Sequence, residues 1–150
     1  MTSARANEVT MSTPTALDSV VLLRRSLEAL SALGAQFLLG MGANLFGSPE
    51  DAAGGARIAA GIVLGLHALV GLGLVVVGIR VLTAARRLDV ESTTAVWALA
   101  VVVLTFLAGL GTMMTGNDWL SFAMSVGFAV TAALYVRTLL AAARIESRRV

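Results

Sequence analysis

His67 is the only histidine in the chain, and it stands inside an apolar run from residue 58 to residue 82. An ionisable side chain at that depth is costly in lipid and calls for a partner, a ligand or a function. Neutral imidazole is a common axial ligand of haem iron, and a methionine thioether can stand opposite it. His67 with Met124 is therefore a candidate haem-binding pair, with Met113 and Met114 as other sources of a sixth ligand. The plainer chemistry is a hydrogen bond from His67 to Gln36, Asn44 or a threonine. No other metal is indicated. The chain has no cysteine, and a lone histidine without carboxylate companions is a poor zinc site.

Small and polar residues recur at helical spacing in each apolar block. Gln36, Gly40, Asn44 and Gly47 share one face, and so do His67, Gly71 and Gly78. Thr105, Gly109 and Thr112 form a third stripe, and Ser121, Ser125 and Ala132 a fourth. Polar side chains in membrane helices turn toward the bundle interior, where they join neighbouring helices by hydrogen bonds. Gln36, Asn44, Thr105, Thr112 and Ser125 are accordingly expected in the interior with His67. Gly40, Gly71 and Gly109 would leave room beside them for a flat macrocycle.

The elements that must position these residues follow from composition. The chain has 150 residues, of which 57% are hydrophobic and 13% charged; soluble domains carry about 25% charged residues. The charge is missing from four blocks, at about 26–46, 58–82, 94–115 and 119–142. Each is near the roughly 20 apolar residues that a spanning helix needs. Helices satisfy their own backbone in lipid, so the expected fold is all-α, an integral membrane four-helix bundle. The membrane domain is expected over residues 17–144. A disordered tail is expected at 1–16 and a short tail at 145–150. Leu17, Val20, Leu23, Leu27 and Leu30 predict an amphipathic helix that runs into the first span.

All eleven basic residues are arginine. Ten fall on one side of this topology: Arg5, Arg24, Arg25, Arg80, Arg86, Arg87, Arg137, Arg144, Arg148 and Arg149. Only Arg57 falls on the other. Positive charge is retained in the cytoplasm, which predicts both termini inside. Arg80 and Arg137 are expected to snorkel to the headgroups. Trp119 at the outer edge, and Trp97 and Tyr135 toward the inner edge, read as interfacial belts. Asp118 is a predicted N-cap for the fourth helix, and Ser92 or Thr93 for the third. The arginine-only, alanine- and valine-rich composition points to a bacterial source and an inner-membrane location. The arginines lie at membrane boundaries, so the basic balance does not indicate nucleic acid.

Two helical hairpins read as a repeat. Phe37-Leu38-Leu39-Gly40-Met41-Gly42, continuing to Gly47, parallels Phe106-Leu107-Ala108-Gly109-Leu110-Gly111, continuing to Gly116. Arg80-Val81-Leu82 parallels Arg137-Thr138-Leu139. The repeat puts His67 in register with Met124; the competing account is chance matching of glycine- and leucine-rich helices.

Gln36-Phe37-Leu38-Leu39-Gly40, an outer loop, and then Leu66-His67-Ala68-Leu69 resemble one four-helix half of the haem A synthase family. The resemblance covers residues 24 to 144. It implies a bundle with haem-ligating positions on the second and fourth helices, hence His67 and position 124. The chain differs from the family in having Met124 in place of histidine, Leu64 in place of an acidic residue, and one bundle in place of two. The resemblance thus implies haem binding, for electron transfer or haem handling, more than synthase activity.

Motifs for metalloprotease, serine-hydrolase and phosphate-binding chemistry are absent. The leading expectation is a structural or accessory subunit of a membrane complex, without catalysis of its own. Its partners would be the lipid bilayer and either other membrane subunits or further copies of the chain. Haem binding through His67 is the first alternative. A small transporter is the second, weakened because no carboxylate lies deep in a span.

Overall fold

The computed structural model describes residues 16–148. The chain forms four helices, α1 (Ala16–Phe46), α2 (Gly54–Leu88), α3 (Ser92–Thr115) and α4 (Asp118–Ser147), with no strand among the described residues. All four are long and apolar enough to cross a membrane, the build of a multi-pass membrane protein. The tail expected at 1–16 lies, but for Ala16, outside the described residues. The expected spans lie inside helices that run further. Ala16 already belongs to α1, so the segment from Leu17 is continuous with the first span. Residues 145–147, expected in a tail, extend α4.

α1 packs on α2 and α4, and α3 packs on α4 and α2, while the diagonal pairs lack backbone contact. This is the up-down-up-down bundle that short connections impose. Gly47 (φ 70°) and Gly116 (φ 64°) end α1 and α3 in the left-handed region that glycine enters without strain. Gly47 N–H donates to Ala43 O at 3.0 Å, and Gly116 N–H to Thr112 O at 2.8 Å. Each bond satisfies a carbonyl of the last turn.

The helix starts differ from the expected caps. Asn117, not Asp118, caps α4, its Oδ1 accepting from Trp119 N–H at 2.9 Å. Glu91, not Ser92 or Thr93, occupies the cap position of α3. Glu91 and Asp89 are left-handed without being glycine, at φ 51° and 52°. Such backbone is costly for most side chains. At Glu91 the carboxylate is held from two sides, by the Thr94 hydroxyl and by Arg137.

The core lies toward the arginine-rich end. Leu22, Ala29 and Leu33 of α1 meet Leu74, Val81, Ala85 and Leu88 of α2, with Ala95, Ala98 and Val102 of α3 and Tyr135 and Ala142 of α4. The buried stripe of α1 is Ser19, Leu22, Ser26, Ala29 and Leu33. Val20 and Leu27 of the expected amphipathic stripe stay exposed, on the side turned away from the bundle. In the other half of the bundle only Ala60 and Gly71 are buried.

Candidate functional site

His67 meets α1. The Nε2 atoms of Gln36 and His67 lie 3.2 Å apart. An amide nitrogen can only donate, so Gln36 donates and His67 Nε2 accepts. With that assignment a neutral imidazole carries its proton on Nδ1, which is buried without a partner among the described residues, as is Gln36 Oε1. Two glycines make room for the pair. A Cβ on Gly40 would lie 3.1 Å from His67 Cε1, and one on Gly71 would lie 3.2 Å from both Gln36 Nε2 and Phe106 Cδ2.

Met124 stands on α4, facing α3. Its Sδ lies 3.8 Å from the Thr112 hydroxyl, which also donates to Ala108 O at 3.0 Å. A Cβ on Gly109 would lie 3.4 Å from Met124 Sδ and Cε. Histidine and methionine therefore each turn onto the glycine of their own hairpin. Nearer the connections that follow α1 and α3 the pattern recurs, with Gly42 against Val63 and Gly111 against Leu120. Between the hairpins Phe37 stacks on Phe128, ring centroids 5.2 Å apart, and Phe106 covers Gly71.

The haem expectation can be tested against this geometry. Gly40, Gly71 and Gly109 are filled by the His67 ring, by Gln36 with Phe106, and by Met124. His67 Nε2 is also turned toward the Gln36 amide at 3.2 Å, not toward an open space. These residues do not fit a haem in this arrangement. Among the described residues no three metal-ligating side chains come together elsewhere.

The other expected interior residues divide. Gln36, Thr105 and Thr112 are half-buried. Thr105 Oγ1 lies where a Cβ on Gly127 would be, so Gly127 lets α3 and α4 close there. Asn44 and Ser125 are exposed, contrary to expectation. Ser125 turns back to Ser121 O on its own helix at 3.2 Å. Their stripes drift off the interior because 3.6 residues per turn do not hold a face at steps of four.

The deeply buried polar residues lie at the opposite end. Tyr135, expected at an interface, is fully buried, together with Thr131 and Thr138 on the same face of α4. The spacing of residues 131, 135, 138 and 142 carried that signal. Tyr135 reaches across the bundle diagonal, and a Cβ on Gly78 would lie 3.0 Å from its hydroxyl oxygen. That hydroxyl has no hydrogen-bond partner among the described residues. Ser19 donates to Glu146 at 2.7 Å, fastening the start of α1 to the end of α4. Trp97 and Trp119 are exposed, as belt residues would be.

Two clefts open at the arginine end. One, of about 250 Å³, lies between α1 and α2 and includes Arg25, Arg80 and Arg87. The other, of about 400 Å³, lies between α3 and α4 and includes Glu91, Thr94, Trp97 and Arg137. In the second, Arg137 Nε meets Glu91 Oε2 at 2.9 Å. The Thr94 hydroxyl and then Arg137 hold the Glu91 carboxyl below the ordinary carboxylate range.

One face of α2 has no neighbour in the bundle. Gly61, Gly65 and Gly73 are exposed with nothing within 4 Å of an added Cβ. Leu69, one step of four beyond Gly65, is 64% exposed, while Gly73 lies a third of a turn round the helix from Gly61. The spacing of Gly61 and Gly65 is the small-xxx-small pattern by which membrane helices approach each other. Its signal was present in the sequence among many glycines. Comparison with protein-family models, curated proteins and solved structures gives no match.

Proposed function

We propose that this chain is an accessory or structural subunit of a membrane complex, without catalysis of its own, and that it docks to a partner helix through α2. The observation that carries this reading is the uncovered stretch of α2 with Gly61, Gly65 and Leu69. In lipid there is little hydrophobic gain from joining two helices, so close backbone approach at small residues supplies much of the attraction. Within the bundle, Gly40, Gly42, Gly71, Gly109 and Gly111 already have such neighbours. Gly61, Gly65 and Gly73 of α2 have the same chemistry and, among the described residues, no neighbour. The partner is a helix of another membrane chain or of a second copy.

The proposed setting is a bacterial inner membrane with both termini in the cytoplasm, supported by the placement of the arginines. We read the bundle as two related hairpins. The matched contacts of Gly40 with His67 and Gly109 with Met124, and of Gly42 with Val63 and Gly111 with Leu120, support that reading. So do the matched glycine ends of α1 and α3. In this account His67 is a neutral hydrogen-bonding residue that joins α1 to α2.

The test is extraction from its own membrane in mild detergent, followed by size and absorption measurements. The expected result is a colourless assembly larger than the 15.4 kDa chain, which Gly61→Ile with Gly65→Ile dissociates without unfolding. A folded monomer, unchanged by these substitutions, would refute the docking role. A Soret band that His67→Ala abolishes would favour the haem reading instead.

A further inference from the structure

We propose that the cleft between α1 and α2 at the arginine end is a binding site for the phosphate of an anionic glycerophospholipid. Arg80, Thr83 and Arg87 share one face of α2, and Val21 with Arg25 lie one turn apart on the facing part of α1. From Arg80 to Arg87 the α2 backbone rises about 10 Å. The lower arginine therefore sits at the edge of the hydrocarbon and the upper one among the headgroups. Arginine forks match phosphate oxygens in pairs, and basic pockets between spanning helices are where anionic headgroups bind.

Charge distinguishes this cleft from the one between α3 and α4. Arg80 and Arg137 occupy matching positions near the ends of α2 and α4. Arg137 is neutralised by Glu91, whereas no ion pair among the described residues includes Arg80 or Arg87. Arg25 is shared with Glu28, which it meets at 2.6 Å and which also meets Arg24 at 3.2 Å. The first cleft thus keeps a positive balance and the second does not. Val21 and Ile79 line it and are about half exposed, giving acyl chains an apolar wall below the phosphate. A free phosphate ion would gain nothing from that wall. The proposal goes beyond the docking reading and needs only that the helices span a bilayer.

The test is native mass spectrometry of the full chain released from detergent, titrated with phosphatidylglycerol, phosphatidylcholine or inorganic phosphate. One phosphatidylglycerol should be retained per chain in preference to phosphatidylcholine. Arg80→Gln with Arg87→Gln should weaken it roughly fivefold per arginine removed. Arg86→Gln, which removes a neighbouring exposed charge outside the cleft, should not. Equal affinity in the double variant and in Arg86→Gln would overturn the site. So would equal retention of phosphatidylcholine, or displacement of the lipid by equimolar inorganic phosphate. If the double variant does not fold, Thr83→Trp fills the cleft with its charges intact. Loss of the lipid in that variant supports the site, and undiminished retention overturns it.

Discussion

His67 and Gln36 are hydrogen-bonded across the α1–α2 interface, Nε2 to Nε2 at 3.2 Å, a contact that suits a neutral imidazole accepting from the amide. Its geometry turns the most suggestive residue of the sequence into a helix-joining one. Interhelical hydrogen bonds in membranes average about 0.6 kcal/mol and reach about 1.7 kcal/mol. Gln36→Leu and His67→Leu should each destabilise the bundle, with a coupling energy in that range in a double-mutant cycle. Unfolding in mixed micelles measures it. Zero coupling would mean that the two side chains do not interact.

Gly40 tests the seat of the same ring. Gly40→Ala places a Cβ 3.1 Å from His67 Cε1, and such overpacking typically costs about 1–3 kcal/mol. Gly34, also on α1, has nothing within 4 Å of an added Cβ. Gly34→Ala should be neutral or stabilising by up to about 1 kcal/mol. Equal effects at the two positions would place the ring elsewhere.

At the centre of the core, Tyr135 and Gly78 make opposite demands. The buried Tyr135 hydroxyl has no partner among the described residues, so Tyr135→Phe should be neutral or slightly stabilising. Gly78→Ala brings a Cβ to 3.0 Å from both that oxygen and Leu99 Cδ1 and should cost about 1–3 kcal/mol. A loss above about 1.5 kcal/mol in Tyr135→Phe would reveal a hydrogen bond to that hydroxyl.

Glu91 gives a pH dependence. Its carboxyl is held below the value of 4.5 it would have unperturbed, by the Thr94 hydroxyl first and Arg137 second. On acidification the unfolded chain takes up the proton first. The contribution is therefore present above the unperturbed value and is lost as pH falls through the lowered native one. Partial exposure keeps it below about 1 kcal/mol. Stability of the native chain should fall more than that of Glu91→Gln between roughly pH 5 and pH 3. Parallel curves would contradict the assignment.

The four helices were legible because lipid demands long apolar runs, and the arginines mark which helix ends lie together. The contact of Gln36 with His67 was among the bonds expected of a neutral imidazole inside the bundle. Asn44 and Ser125 were misjudged because a step of four drifts around a helix over two turns. Tyr135 was placed at an interface because its type suits a belt, and nothing local distinguishes that from a core tyrosine opposite a glycine. The pairing of Glu91 with Arg137 depends on how α4 sits against a tight connection, which is a tertiary relation. The expected register of Met124 with His67 does not by itself tell which neighbour each side chain turns to.

The docking role of α2 is tested most directly by site-specific photocrosslinking in native membranes. A photoreactive residue at Leu69, on the open glycine face, is compared with one at Leu104 on α3, which is similarly exposed at 65%. The account predicts a protein–protein adduct from position 69 and only lipid adducts from position 104. Lipid adducts alone from both positions would contradict it.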